Sequence, residues 1–442
     1  MARSERLTAL LADIGPLRKN AGFRRLWYGL TIASLGSQLT VVALAYQTYQ
    51  LTRSTAMVGL VSLTSLGPVL VGSLVGGALA DAMDRRRLLM LTQLFLAAGS
   101  AALAFNALLP HPHLWVLFAA SAGTATFQGF DWPTRMAAIP MLVAPEDITS
   151  AFAIQTAVSN LGMVVGPALG GLLIAHGGLA VVYFCDVASY VAVLLAAITL
   201  PPLLPSGGGT SVSVSSIVEG LQYLRRQRLL RASFLLDLNA MVFGMPKAVF
   251  PALGTGLFHG GASTVGLLYA APGAGALVAS LLSGWVGRVG RQARALVVCM
   301  LVWGVSIAVF GVMPVLWIGL GMLAIAGGAD IIGGVLRVAI LQATTPEQLQ
   351  GRLGGVFFAA AVSGNRIGDG EAGLAASIGG SQFAVWSGGL LCLAGTALLA
   401  WRIPELWRAD RGERRAPTEA TAALELTGDG TQAVLTDLDH GH

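Results

Sequence analysis

Residues 56–87 read AMVGLVSLTSLGPVLVGSLVGGALADAMDRRR. Positions 56–80 carry no charge, and Asp81, Asp84 and the triplet Arg85 to Arg87 follow at once. About 20 apolar residues cross the hydrocarbon core as a helix, so the first part reads as a membrane span and the second as the charged loop that ends it. The same rhythm runs outward in both directions. With Gly, Pro and Arg as punctuation, hydropathy predicts helices near 23–50, 56–80, 87–109, 114–139, 148–175 and 178–200. A second set is predicted near 232–257, 263–287, 293–313, 315–341, 352–376 and 381–402. The expected fold is an all-α membrane protein of 12 transmembrane helices in two pseudo-symmetric bundles of six.

Composition leaves little room for anything else. Of 442 residues, 55% are apolar and 11% charged, with a mean hydropathy of +0.72. Such a chain cannot present an ordinary water-facing surface, and no stretch is free to form a soluble domain of normal size. Cys185, Cys299 and Cys392 lie far apart in apolar runs and read as packing residues. His111, His113, His176, His259, His440 and His442 make no metal-spaced set, and no cofactor is expected. Residues 1–22 lack the apolar core and cleavage site of a signal peptide.

Charge placement gives an orientation. Of 27 Lys and Arg, 22 fall in the two ends and in alternate loops, while the intervening loops hold Arg53 alone. By the positive-inside rule both termini face the cytoplasm of a cell membrane, and the net charge of +5 reflects topology, not nucleic-acid binding. The organisation expected is a cytoplasmic segment 1–22, a bundle 23–200, a linker 201–231, a bundle 232–402 and a tail 403–442. The linker begins rich in Pro, Gly and Ser and is expected to be flexible; 417–442 is acidic and is expected to be disordered.

Displacing the chain by 207 residues lays the second helix on the eighth, pairing Gly59 with Gly266, Leu70 with Leu277, Ser73 with Ser280, Gly77 with Gly284 and Arg87 with Arg294. Asp131, Arg135 and Pro145-Glu146 are echoed by Asp330, Arg337 and Pro346-Glu347. Parallel six-helix repeats enclosing a midplane site are a transporter plan.

Two motifs then resemble the major facilitator superfamily over about residues 20–405. Gly77-Ala78-Leu79-Ala80-Asp81 followed by Arg85 to Arg87 is similar to its loop signature, departing at Ala82 and Asp84. Gly162-Met163-Val164-Val165-Gly166-Pro167-Ala168-Leu169-Gly170-Gly171 resembles its antiporter signature. The resemblance implies a gate at Gly77, Asp81, Arg85 and Arg86, with Asp81 capping a helix N-terminus across the interface, and it favours export over import. Glycines four apart clear a helix face at Gly166 and Gly170, Pro167 bends it, and helix 8 with Gly266, Gly273, Gly275 and Gly284 is the expected partner. Phe105-Asn106-Ala107-Leu108-Leu109-Pro110, Gly266 to Pro272 and Leu341 to Glu347 are similar to the enterobactin exporter group, which implies a siderophore or related polar metabolite as substrate.

Charge inside a span costs at least about 2.5–3.5 kcal/mol on insertion scales, so each such residue needs a partner, water or a task. Asp131, Arg135, Asp186, Asp237, Lys247, Asp330, Arg337, Arg366, Asp369 and Glu371 are the cases. By the resemblance, all but Asp186 sit on helices that line the cavity or the moving interface. Asp131 with Arg135, and Asp330 with Arg337, share helix faces, and either neutralise each other or exchange a proton during transport. Asp369 and Glu371 are the further proton-coupling candidates. Lys247, beside Pro246 in mid-helix 7 with no acid at i±3 or i±4, either pairs with an acid of helix 10 or 11 or binds an anionic substrate, with Arg366 as second contact. Gln38, Gln155, Asn160 and Asn365 are further cavity candidates, Gln38 and Asn365 as substrate ligands, though all four read first as helix-to-helix hydrogen bonders.

The partners expected are a small-molecule substrate, protons and the bilayer, with the chain a monomer that binds no nucleic acid. Rival readings are a multidrug exporter, a transport-dead sensor and a membrane enzyme, though no nucleophile-elbow, zincin, Walker or Rossmann pattern occurs in a supporting context.

Overall fold

The computed structural model describes residues 14–204 and 221–408, so the start of the N-terminal segment, most of the linker and the acidic tail lie outside the described residues. Among the described residues the chain is helical throughout and without strands. In chain order the long helices are α1 (Ala21–Thr52), α2 (Thr55–Ala82), α3 (Arg85–Leu108), α4 (Leu114–Ala138), α5 and α6 (together Ile148–Ile198), α7 (Arg228–Leu257), α8 (Gly261–Leu282), α9 (Gln292–Val312), α10 (Leu316–Thr344), α11 (Glu347–Gly379) and α12 (Ser381–Arg402).

Nine helices among the described residues are long and apolar enough to cross a membrane, with α5 and α6 counted as one. That pair is continuous in hydrogen bonding but turns over at Gly178, whose φ of 80° and ψ of 173° suit a residue without Cβ. α4 and α11 fall below the apolar threshold because Gln128, Asp131 and Arg135 sit on one, and Asn365, Arg366, Asp369 and Glu371 on the other. Large apolar side chains such as Leu281 and Ile378, 78% and 80% exposed, cover the outside, as lipid requires.

Two helices break where a straight span is expected. α2 is interrupted at Ser65, because Pro68 lacks the N–H that would bond back to residue 64. α7 ends as an α-helix at Phe243, passes through Gly244, Met245 and Pro246, and resumes as a 3-10 turn, Lys247–Val249, before closing in a π-turn, Leu253–Leu257. Side chains satisfy the carbonyls that this break frees. Trp303 Nε1 donates to the Gly244 oxygen at 2.8 Å and the Tyr269 hydroxyl to the Lys247 oxygen at 2.9 Å. Lys247 therefore opens a turn and does not occupy a continuous helix, so helical spacing cannot decide its neighbours.

The duplication is visible in the turns. Arg53 ends α1 at φ 52° and His259 ends α7 at φ 50°; Gly178 divides α5 from α6 and Gly380 divides α11 from α12 at φ 88°. Apolar packing follows this division in part. One cluster around Leu236, Trp303, Phe310 and Val385 draws on α7 to α12, another around Leu30, Leu89 and Tyr190 draws on α1, α3, α4 and α6, and a third joins Val42, Leu103 and Ile174 to Ala262 and Val265 of α8.

A polar cavity between the two halves

The halves meet along two helix crossings, α5 against α8 and α2 against α11. In the first, a side-chain carbon at Gly171 would stand 2.8 Å from the Gly266 Cα, and one at Gly266 would stand 2.6 Å from the Pro167 carbonyl oxygen. In the second, a carbon at Gly373 would stand 3.2 Å from the Gly59 Cα, and one at Gly59 would run into the Asp369 carbonyl oxygen. Helices approach this closely only where side chains are missing. Both crossings lie toward the end that carries the Arg53 and Gly178 turns; at the Arg85 end Gly77 and Gly284 meet nothing within 4 Å.

The glycines four apart in α5 do not serve the partner expected of them. Gly162, Gly166 and Gly170 face α1, against Ser34, Gln38 and Leu39, and it is Gly171, one residue and about 100° further round, that meets α8. On α8, Gly266 and Gly273 face α5, whereas Gly275 packs on Ala324 of α10 and Gly284 is open.

Between the crossings lie two neighbouring cavities of about 300 and 260 Å³. Gln38, Lys247, Tyr269 and Asn365 border both. The larger adds Ser62, Ser121, Arg366 and Asp369; the smaller adds Met241, Met245, Phe250, Trp303 and Asp330. Four residues singled out as substrate ligands, Gln38, Lys247, Asn365 and Arg366, are thus brought to one wall. Lys247 makes no ion pair among the described residues, although Asp330 and Asp369 both lie within its electrostatic field. Ser62 joins α2 to α11: its hydroxyl donates to Asp369 Oδ2 at 2.5 Å and accepts from an Arg366 NH at 3.3 Å. Among the described residues the buried Asn365 Oδ1 has no hydrogen-bond partner.

The other intramembrane charges form separate clusters. Asp131, 6% exposed, pairs with Arg135 at 2.5 Å and accepts from Gln93 Nε2 at 2.6 Å, inside the first bundle and away from both cavities. Arg337 departs from its expected pairing: Asp237 of α7 is closer at 2.5 Å than Asp330 at 3.6 Å, so one guanidinium serves two acids. Asp186 is held by the hydroxyls of Thr40, Ser100 and Ser189. Glu371 is half-buried and, like Gln155 and Asn160, borders neither cavity.

In the loop after α2 the expected cap across the interface is not formed. Asp81 faces Arg85 at 3.9 Å within its own loop, because the Arg85 end of α2 is not packed on α11 as its Thr55 end is. Arg85 also donates to the Ala80 and Ala137 carbonyls, and Arg86 to the Ile198 carbonyl at 2.7 Å, tying the loop to the ends of α4 and α6. Asp84, where the resemblance expects glycine, caps α3 at the Arg86 N–H and accepts from the Leu203 N–H at 2.9 Å. Ser62, Tyr269, Trp303 and Gln93 were not legible as site residues, since single polar or aromatic residues in apolar runs carry no spacing signal.

A family model described as "Transmembrane secretion effector" matches residues 11–436. The enterobactin exporter EntS of Citrobacter koseri is 33% identical over 359 residues, covering 81% of this chain and 86% of that protein. The enterobactin exporter EntS of Escherichia coli is 31% identical over 358 residues, covering 81% and 86%. Among solved structures, a POT family transporter in complex with a thioalcohol-conjugated peptide aligns with a TM-score of 0.69 at 14% identity, over 87% of this chain and 96% of that one. A bacterial homologue of the human lysosomal transporter Spinster, in an inward-facing and unoccupied conformation, aligns at 0.66 and 15% identity, over 90% and 98%. Those two likenesses concern the fold alone. Motifs, duplicated helices and curated relatives agree: the chain belongs to the transmembrane secretion effector family of the major facilitator superfamily, and it is a multi-pass membrane exporter.

Proposed function

We propose that the chain exports a small anionic metabolite of the siderophore kind by alternating access, with protons moving in exchange. The observation that carries this reading is Lys247, an ammonium group without an ion pair among the described residues, placed at the break in α7 where two central cavities adjoin. A cation without a direct ion pair in a low-dielectric cleft is complementary to a carboxylate or catecholate. Gln38, Asn365 and Arg366 share that wall and serve as further ligands. The names of the relatives support the same chemistry.

In this reading all twelve helices cross the cell membrane, in the bundles 23–200 and 232–402, and the basic ends face the cytoplasm. Asp330 and Asp369 lie on the cavities and are the better-placed proton carriers; Asp131 and Glu371 lie off them. Gly77, Asp81, Arg85 and Arg86 gate one end, with Arg135 behind them, and Gly166, Pro167 and Gly170 set how α1 and α5 move together. The protein works as a monomer.

Secretion of a catecholate siderophore and tolerance to cationic drugs, compared in cells with the chain, without it and with Lys247→Ala, test the proposal. Secretion should fall without the chain and about tenfold with the variant, as loss of a charged hydrogen bond implies. Unchanged secretion with lost drug tolerance makes it a multidrug exporter instead. Coupling is read from proton release in vesicles on substrate addition, and its absence removes the antiport step.

A further inference from the structure

We propose that the central site binds an amphipathic organic anion, its acidic group at Lys247 and its apolar ring or chain in the cavity lined by Met241, Met245 and Trp303. The inference rests on the reading of the chain as an exporter of an anionic substrate and narrows the substrate's shape. Its basis is the way the duplication has diverged. An offset of 202 residues lays α11 on α5: Gly364, Gly368 and Gly373 fall on Gly162, Gly166 and Gly171, and the turn glycine Gly380 falls on Gly178. In that register Asn365, Arg366 and Asp369 take the places of Met163, Val164 and Pro167. On the partner helices the offset of 207 lays Tyr269 on Ser62. Ser62, Arg366 and Asp369 border one lobe alone and Met163 and Pro167 the other alone, while Asn365 and Tyr269 stand between them and border both. Equivalent positions have been made polar on one side and apolar on the other.

Direct contacts give the orientation. In the polar lobe Asp369 is engaged by Ser62, which also holds Arg366, whereas Lys247 makes no ion pair among the described residues. In the apolar lobe the lining acid is Asp330, 3.6 Å from an Arg337 that Asp237 also holds. Apart from Lys247 and Asp330 the lining described there is uncharged, and methionines adapt to a ring or an acyl chain equally well. Asn365 Oδ1, buried and unpartnered at the junction, accepts from a ligand hydroxyl or N–H. A carboxylate joined to an apolar body of modest size, set by lobes of about 300 and 260 Å³, satisfies all of this.

The test is calorimetric binding to the full chain in nanodiscs, with 2-naphthoate, decanoate, succinate and methyl 2-naphthoate as probes. 2-Naphthoate or decanoate should bind at least about tenfold tighter than succinate, from buried apolar area, and 2-naphthoate about tenfold tighter than its uncharged ester. Whichever of the two leads separates a soluble aryl acid from a fatty acid drawn from the bilayer. Lys247→Ala should bring the acid down to the ester's affinity, and Lys247→Arg should restore the difference. Met241→Asn with Met245→Asn should bring it down to succinate's. Succinate binding as tightly as 2-naphthoate to the unaltered protein overturns the proposal, and that ranking needs no variant to fold. If succinate wins and siderophore secretion still depends on the chain, the two-lobed site is wrong and the exporter reading stands. If the acids show no preference over the ester, both fall together.

Discussion

The crossings of α2 with α11 and of α5 with α8 share one backbone design and differ in their side chains. Each places two glycines Cα to Cα, Gly59 with Gly373 and Gly266 with Gly171, and each seats both glycines against carbonyls of the facing helix, those of Asp369 and Thr55 in one and of Pro167 and Ala262 in the other. Beyond the backbone they part. Asp369 carries a carboxylate that Ser62 grips from the opposite half, whereas Pro167 carries nothing that can bond across. Close glycine contact is thus the common requirement for bringing the halves together, and chemical control of the contact has been vested in one crossing alone. In a duplicated transporter fold the repeats move against each other about a site between them, and here that shared frame carries different side chains on its two sides.

The largest effect should come from attacking what the crossings share. Gly59→Val and Gly266→Val each push a branched side chain into a carbonyl of the other half, where there is no flexible side chain to give way. Both should abolish export in a vesicle uptake assay while leaving expression and monodispersity near normal, because the clash exists only when the Arg53 ends of the halves are together. If one variant transports normally, the two crossings are not equivalent gates.

Next come the charge clusters, which test whether the second half is the better buffered. Asp131→Asn leaves the largely buried Arg135 with only the neutral Thr92 and Gln93 described beside the lost carboxylate, and should cost about 3 kcal/mol, read as a lowered unfolding midpoint in detergent. Asp330→Asn should cost far less, since Asp237 still holds Arg337 at 2.5 Å. Equal losses would mean that the 2.5 Å pair contributes no more than the 3.6 Å one.

Smaller, and aimed at the difference between the crossings, is Asp369→Asn. It keeps the shape and the Ser62 contact but removes the charge, and should lower proton-driven efflux about tenfold. Pro167→Ala, at the equivalent place in α5, should change efflux less than twofold, or about 0.4 kcal/mol. A Pro167 variant as damaging as the Asp369 one would transfer the control to the other crossing.

How much of this the sequence carried depended on whether the signal was local. Spans and turns were legible because hydropathy and punctuation act within a window: α1 runs Ala21–Thr52 where 23–50 is expected, and α12 runs Ser381–Arg402 where 381–402 is expected. The 207-residue echo of α2 in α8 was visible, since Gly59, Ser73 and Gly77 all survive in the copy. The 202-residue echo of α5 in α11 was hidden, because the residues that diverged are the functional ones: Asn365, Arg366 and Asp369 replace Met163, Val164 and Pro167. Tertiary choices were not legible at all. Nothing in helical spacing tells that Arg337 prefers Asp237 on another helix, or that Gly166 and Gly170 face α1 while Gly171 faces α8. The break in α7 had its signal in Gly244 and Pro246, yet apolar continuity through Phe250 concealed it.

The turns offer the finest comparison between the halves. Gly178 and Gly380 sit at φ 80° and 88° with ψ near 170°, a region open only to glycine, while Arg53 and His259 sit in the left-handed helical region at φ 52° and 50°, which other residues tolerate. Gly178→Ala and Gly380→Ala should therefore each cost about 1–3 kcal/mol. Arg53→Gly and His259→Gly should stay within about 1 kcal/mol, on the stabilising side, since the strain relieved is partly offset by the extra freedom of an unfolded glycine. Unfolding midpoints of the four variants in one detergent check both statements. A match within each pair would show that the two bundles hold these hairpins with equal force, and that the asymmetry of the crossings is confined to the side chains of α2, α5, α8 and α11. Were Gly178→Ala harmless and Gly380→Ala severe, the divergence would reach into the backbone, and the α11–α12 hairpin would join Asp369 as part of the controlling half.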